Sequence, residues 1–264
     1  MTSRRLALLL LAVIITAALL GPEIPGVDSV AQDRALPLAS PGFVHWLGTD
    51  AYGRDELARL LVGTRASLLA GLLATTLALL GGIVLGGLAG FYSGWCDSLV
   101  MRLAELVQSL PWFFLILALR ALLPLTITPG TALLLIALIA GLTGWPRPCR
   151  LVRGITMAER SREYVQVARR CGASDAYLFR RHMLPAAWGA VGVQAALLLP
   201  QFVMTEVTLS FLGLGAGEPA ASLGTMLSSL RDLHILTSCP WMLAPAVTLI
   251  ILTFCCQSLA DSLQ

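Results

Sequence analysis

Six stretches of this 264-residue chain are nearly free of charge and approach the length of a bilayer crossing: 6–20, 66–92, 106–123, 131–145, 186–215 and 242–256. A helix that crosses a membrane needs about 20 mostly apolar residues, because the hydrocarbon is about 30 Å thick and each residue rises about 1.5 Å. The composition agrees, with 57% hydrophobic and 12% charged residues against about 45–50% and about 25% in soluble domains. A water-soluble enzyme, a disordered tail and a nucleic-acid-binding domain are thereby excluded. The fold class expected is all-α, a polytopic membrane protein of about six transmembrane helices. The fourth and sixth runs are short and need neighbouring residues to extend them. The first follows Arg4 and Arg5, as a cleavable signal peptide would. No small-x-small site stands cleanly after it and Pro22 and Pro25 follow at once, so a retained span is expected.

Orientation comes from the cations, all 18 of which are Arg. With the N-terminus inside, the inner segments hold twelve of them, nine lying between Arg147 and Arg181, and the outer segments hold five. The positive-inside rule then places both termini in the cytoplasm. Residues 1–65 are read as the first span plus an outer segment. That segment turns amphipathic from Gly53, with Leu57, Leu60 and Leu61 on one face and Arg54, Asp55, Glu56 and Arg59 largely elsewhere. Residues 66–259 hold five further spans and an inner loop, 146–185, and residues 260–264 form a short inner tail. A second outer loop, 216–240, has room for a short helix near 223–233.

Ionisable groups inside spans are the usual mark of proton relays and intramembrane chemistry, and here they are few. Arg102 and Glu105 sit at the inner mouth of the third span, spaced to pair along one face. Arg120 lies near its outer end, in reach of the interface by snorkelling. Glu206 lies near the outer boundary of the fifth span. His45, His182 and His234 are too scattered for a metal site, and the six Cys include no C-x-x-C pair, so packing is their expected role. Nucleotide-binding G-x-x-x-x-G-K-[ST], H-E-x-x-H and triad patterns are absent from the sequence. A chain of this kind that works with ATP relies on another chain to bind it.

Three local patterns stand out. Gly82, Gly86 and Gly90 form successive G-x-x-x-G steps in the second span, which lets a helix approach another closely, within the subunit or against a second one. Pro200 lies within the fifth span and should kink or break it; broken spans border many substrate pathways. In the inner loop, residues 155–171 read as an amphipathic helix and Gly172 suits a left-handed C-terminal cap. Ser174 suits the N-cap of a second short helix over 175–182, and Pro185 closes it. Two short helices hinged at a glycine make a surface that fits a partner's groove.

That loop resembles the coupling loop of bacterial ABC importer permeases, whose pattern is E-A-A, three residues, G, and later a hydrophobic-x-L-P. Here it stands as Gln166, Val167, Ala168, then Arg169, Arg170, Cys171, Gly172 and Ala173, and later His182, Met183, Leu184 and Pro185, with Gln166 and Val167 departing from the pattern. The run His45 to Asp50, including Gly48 and Thr49, continues as Gly53, Arg54, Asp55, Arg59, Leu60, Gly63, Arg65, Ser67 and Leu68. It is similar to the signature of the second (C-type) permease of dipeptide, oligopeptide and nickel importers. Glu163, Tyr164 and Val165 match that branch, as do Glu206 with residues 209–215 and the segment 223–227, where Leu223 replaces the family's Trp. The family's C-terminal G-D-G-L-R-D-A-L-D-P is met only by Ala260, Asp261, Ser262, Leu263 and Gln264.

The resemblance implies the type I ABC importer permease fold and a pseudo-dimeric pore built with a homologous second permease in the bacterial inner membrane. It implies two cytoplasmic ATPase subunits docked beneath that pore, and an ATPase-coupling loop in this chain carrying Glu163, Gln166, Ala168, Arg169, Arg170, Gly172, Ala173, His182, Leu184 and Pro185. A periplasmic or lipid-anchored substrate-binding protein would deliver cargo, and Pro200, Glu206, Ser210, Gly213 and Gly215 would help shape an outer gate. No cofactor, metal or nucleic acid is expected on this chain; ATP and Mg serve the partner ATPases. Small peptides are the first expected cargo and nickel or a metal chelate the second. A self-sufficient carrier or channel is opposed by the missing midplane charges, and an intramembrane enzyme by the missing nucleophile and metal motifs.

Overall fold

The computed structural model describes residues 2–24, 28–122 and 127–263 of the chain; the expected end of the third span, the side chain of His234 and Gln264 lie outside the described residues. Among these residues the structure is helical, with one isolated bridge between Thr49 and Asp55. The helices are α1 Thr2–Leu20, α2 Glu56–Tyr92, α3 Gly94–Ser109, α4 Trp112–Ala121, α5 Pro129–Gly144 and α6 Pro146–Arg160. They continue as α7 Glu163–Arg170, α8 Asp175–Leu178, α9 Leu184–Phe211, α10 Leu223–Ser228, α11 Leu233–Ser238 and α12 Ala244–Leu263. Five runs are long and apolar enough to cross a membrane, and α3 with α4 makes a sixth if that pair, bent by 80°, is one span.

Several expected boundaries move. The third span is broken rather than straight: Pro111 cannot continue the helix of its predecessor, and Leu110 before it takes an extended backbone. The fourth extends past residue 145, as the shortness of its apolar run requires. Pro146 and Pro148 fall in the first turn of α6, where a missing N–H costs nothing, and Pro129–Arg160 forms one 32-residue run. The inner loop is therefore shorter than 146–185, and Arg147, Arg150 and Arg153 ride on a spanning helix. At its far side the chain re-enters a helix at Asp175 and stays helical to Phe211. Pro185 does not close the second short helix, because a π turn over Phe179–Met183 precedes it and gives the proline ring room at the fourth carbonyl back. Likewise Pro200 removes one backbone hydrogen bond without ending α9.

Helix α2 is the axis of the fold. Its 37 residues span about 55 Å at about 1.5 Å each, well beyond about 30 Å of hydrocarbon. The amphipathic segment expected after Gly53 is thus the first turns of the same helix, continuous through residues 65 and 66. Ala70, Ala74 and Ala78 on α2 pack with Ile116, Ile136, Ala140, Leu198 and Phe202 in a core shared with α4, α5 and α9. Small residues let these axes come close, as membrane helices require. A second core joins Val203, Val207, Leu223, Leu249 and Leu252, with Leu11 of α1 packed on its edge. The glycine steps of α2 face α6: a Cβ on Gly86 would sit 2.3 Å from the carbonyl oxygen of Cys149, and one on Gly90 2.7 Å from that of Arg153. The G-x-x-x-G packing is therefore made within the subunit.

Candidate functional site

Residues 161–183 form an elbow at the end of the bundle where α2 and α6 finish. Helix α7 stops in a Schellman motif: Gly172 N–H donates to the Arg169 carbonyl (3.1 Å) and Ala173 N–H to that of Ala168 (3.1 Å). Gly172 takes φ +88°, open to a residue without Cβ. Ser174 then caps α8, its hydroxyl accepting from Tyr177 N–H at 3.3 Å. The expected first helix over 155–171 is two helices, parted at Ser161 and Arg162.

The elbow is fastened to the bundle from several sides. Val165, Leu178 and Met183 are buried against Phe91 of α2, with Ala168 and Ala173 packed at the margin. Arg160 donates to the Phe91 carbonyl (2.8 Å) and to Ser93 Oγ (2.7 Å), and Arg153 makes two hydrogen bonds to the Asp97 carboxylate. The Arg169 guanidinium lies 5.2 Å from the Phe91 ring and donates to Asp175 at 3.1 Å. His182 stands between the Tyr164 and Tyr177 rings, at 5.4 and 5.9 Å. Glu159 accepts from the Tyr164 hydroxyl, which holds that phenol above its ordinary pKa and keeps it neutral. Gln166 donates through Nε2 to the Ser161 carbonyl at 3.1 Å, a bond that the family's carboxylate at this place does not offer. Glu163, Gln166, Arg169, Arg170 and Tyr177 present an exposed polar face.

At the opposite end, Glu206 is 1% exposed. Its carboxylate accepts from Ser67 Oγ of α2 at 2.5 Å and from Ser210 Oγ at 2.7 Å, and Ser67 Oγ accepts from Leu223 N–H at 3.2 Å. Three elements meet there, and there is no space between them: a Cβ on Gly224 would lie 2.5 Å from Ser210 Cβ, and one on Gly215 only 1.8 Å from Ser210 Oγ. Gly213 ends α9 in a second Schellman motif, with φ +84° and the Leu214 N–H on the Leu209 carbonyl at 2.9 Å. Pro200 is buried in α9, more than a turn away.

The segment from Gly48 to Arg65 builds a second polar cluster beside this junction. Thr49 is fully buried, its hydroxyl donating to the Leu36 carbonyl at 2.6 Å, and Gly48 leaves 2.5 Å for a Cβ against the Ala39 carbonyl. Asp55 caps α2 through Ala58 N–H (2.9 Å) and meets His45 Nδ1 at 2.8 Å. Asp50 accepts from Arg54 Nε at 2.7 Å and lies 3.5 Å from Arg59 Nε, while Glu218 holds Arg54 at 2.5 Å and Arg59 at 3.1 Å. Burial lowers the Arg54 pKa, but Glu218 and Asp50 outweigh it and raise the net value. Only Arg65 stays outside, paired with Glu23 at 2.8 Å.

Some polar residues sit otherwise than expected. Arg120 is 1% exposed and turns into the fold rather than snorkelling; it stands in the last turn of α4, where a cation suits the carbonyl end of the dipole. Arg102 and Glu105 are both exposed, and no ion pair joins them. Sequence reasoning missed the roles of Glu218 and Ser67. Glu218 carried a signal, as the sole acid between residues 207 and 231.

Residues 82–264 match the family of binding-protein-dependent transport system inner membrane components. The chain is 34% identical over 258 residues to the oligopeptide transport system permease protein OppC of Bacillus subtilis (strain 168), covering 97% of this chain and 82% of that one. It is 33% identical to the dipeptide transport system permease protein DppC of the same organism, at 97% and 78% coverage. It is also 35% identical to the glutathione transport system permease protein GsiD of Pectobacterium atrosepticum, at 73% and 62%. The extent of the family match and these identities agree with the helical bundle and its elbow: the chain belongs to the family of inner-membrane permease components of binding-protein-dependent transport systems.

Proposed function

We propose that this chain forms half of the pore of an ATP-driven importer of small peptides, with a homologous permease as the other half. The observation that carries the reading is the elbow, two short helices set at a fixed angle by Gly172 and braced on the ends of α2 and α6. Such an element transmits a push from a docked partner into the spanning helices without itself binding nucleotide. In this reading the elbow and both termini face the cytoplasm, two ATPase subunits dock beneath the pore with the exposed face from Glu163 to Pro185 in contact with them, and ATP and Mg act on those subunits. The junction around Glu206 then lies at the outer side, where a periplasmic or lipid-anchored binding protein docks, and Pro200, Ser210, Gly213 and Gly215 shape the outer gate. The peptide and glutathione names of the relatives support peptides over nickel as cargo.

Purification of the tagged chain from its native membrane tests this reading. A second permease, one or two ATPases and a peptide-loaded binding protein are expected to accompany it. Recovery without any ATPase overturns the proposal.

A further inference from the structure

The 80° bend between α3 and α4, the joint between α5 and α6, and the middle of α9 enclose a cavity of about 280 Å³. That is near the lower end of the range for small-molecule sites, about 300–1,000 Å³. The other large cavities, beside Phe179 and beside Phe254, have almost wholly apolar walls. This one carries Gln108, Trp112, Thr143, Arg147 and Gln201 next to Phe202.

Arg147 stands on the 32-residue run Pro129–Arg160, its side chain exposed on the wall of this cavity. Among the described residues no carboxylate lies within ion-pair distance of it. Its Nη1 donates to Gln201 Oε1 at 3.1 Å, one bond for a group with five donors. Beside it the buried Trp112 indole N–H has no acceptor, its ring tilted on Phe202 with centroids 5.8 Å apart. The Arg147 guanidinium thus borders this space with one side-chain hydrogen bond, to the Gln201 amide oxygen, while Gln108 and Thr143 add further polar groups to the wall. Of the groups a small peptide offers, the C-terminal carboxylate fits best, since a guanidinium matches it with two parallel hydrogen bonds.

We propose that this cavity is a transit site in which Arg147 takes the carboxylate of a passing peptide, Gln201 acting as the positioning residue that holds the guanidinium between passages. The inference rests on the peptide-import reading above. An amide is a partner weak enough to yield to a carboxylate, and the lack of a fixed counter-ion leaves the bound cargo free to move on, as conduction demands.

The complete importer in proteoliposomes, supplied with its binding protein and a pool of radiolabelled di- to pentapeptides with free C-termini, tests the site. The reading is peptide accumulated per ATP hydrolysed. Arg147→Gln is expected to lower that ratio at least tenfold, and Arg147→Lys, which keeps the charge, to retain a third or more. A ratio unchanged in Arg147→Gln, including one where uptake and hydrolysis fall in step, overturns the site, as does a Lys variant as poor as the Gln variant. Wild-type vesicles that hydrolyse ATP but accumulate none of the pool overturn the peptide reading itself.

Discussion

Ser67 on α2 and Glu206 on α9 share a 2.5 Å hydrogen bond in a place sealed from solvent, and the same serine oxygen accepts from Leu223 N–H at the start of α10. One hydroxyl thereby joins three elements that are far apart in the chain. A carboxylate left at this depth without its donors costs more than the bond itself is worth. Ser67→Ala is therefore expected to cost about 1–3 kcal/mol, and Glu206→Ala more. Glu206→Gln, which can still accept from Ser67, should lie closest to wild type. Thermal unfolding midpoints of the detergent-solubilised protein give the order; a midpoint for Ser67→Ala equal to wild type removes the junction from the account.

Gly172 offers a cleaner test of the elbow, because a side chain there meets nothing within 4 Å. Any penalty must come from the backbone, where φ +88° costs a residue with a Cβ about 1 kcal/mol or more. Gly172→Asn should be mild and Gly172→Val severe, since Asn visits this region and β-branched residues do not. The expected deficit is in uptake and in co-purified ATPase, each normalised to the amount of this subunit in the membrane. Normal values for Gly172→Val would falsify the hinge role.

Glycines of α2 and α6 separate packing from conformation in another way. Gly86 sits against backbone of α6, with 2.3 Å left for a Cβ, whereas a Cβ on Gly154 would meet nothing within 4 Å. Gly86→Ala must push two spanning helices apart and is expected to cut the yield of monodisperse protein several-fold. Gly154→Ala should match or exceed wild type, because alanine is the better helix former by about 1 kcal/mol. Size-exclusion profiles of the two variants decide the matter, and similar losses in both would contradict the close approach of α2 and α6.

The features legible in the sequence were those that depend on local chemistry. Long apolar runs located α1, α2, α5, α9 and α12, and the left-handed glycine with Ser174 behind it located the turn of the elbow. What distance in sequence hides is which partner a pattern meets. The spacing of Gly82, Gly86 and Gly90 was plain, but that they receive α6 rather than another subunit was not. Arg54, Glu56 and Arg59 read as the wet side of an amphipathic helix because the pattern assumes water there, whereas the loop containing Glu218 folds over them. Prolines misled in the opposite sense. Pro185 and Pro200 looked like a stop and a break, but one follows a π turn and the other lies inside a helix that continues past it, and both are tolerated.

The ion cluster beside the Glu206 junction makes the last prediction an asymmetric one. Arg59 is 2% exposed and is held from one side by Asp50, itself nearly buried, and from the other by Glu218, whose side chain is 43% exposed. Removing one member of a buried pair strands the other charge and costs about 3–5 kcal/mol, whereas a pair with one partner in water is worth about 1 kcal/mol or less. Asp50 in addition accepts from the Tyr52 and Arg54 backbone N–H groups at 2.8 and 3.0 Å, so its loss also undoes the turn that leads into α2. Asp50→Asn should therefore lower the unfolding midpoint several-fold more than Glu218→Gln. Raised salt should weaken the contribution of Glu218 and leave that of Asp50 almost intact, since screening acts on exposed charges and little on buried ones. Unfolding midpoints of both variants and wild type at low and high ionic strength provide the comparison, and a larger effect from Glu218→Gln would mean that the loop containing Glu218, not the turn before α2, anchors the two arginines.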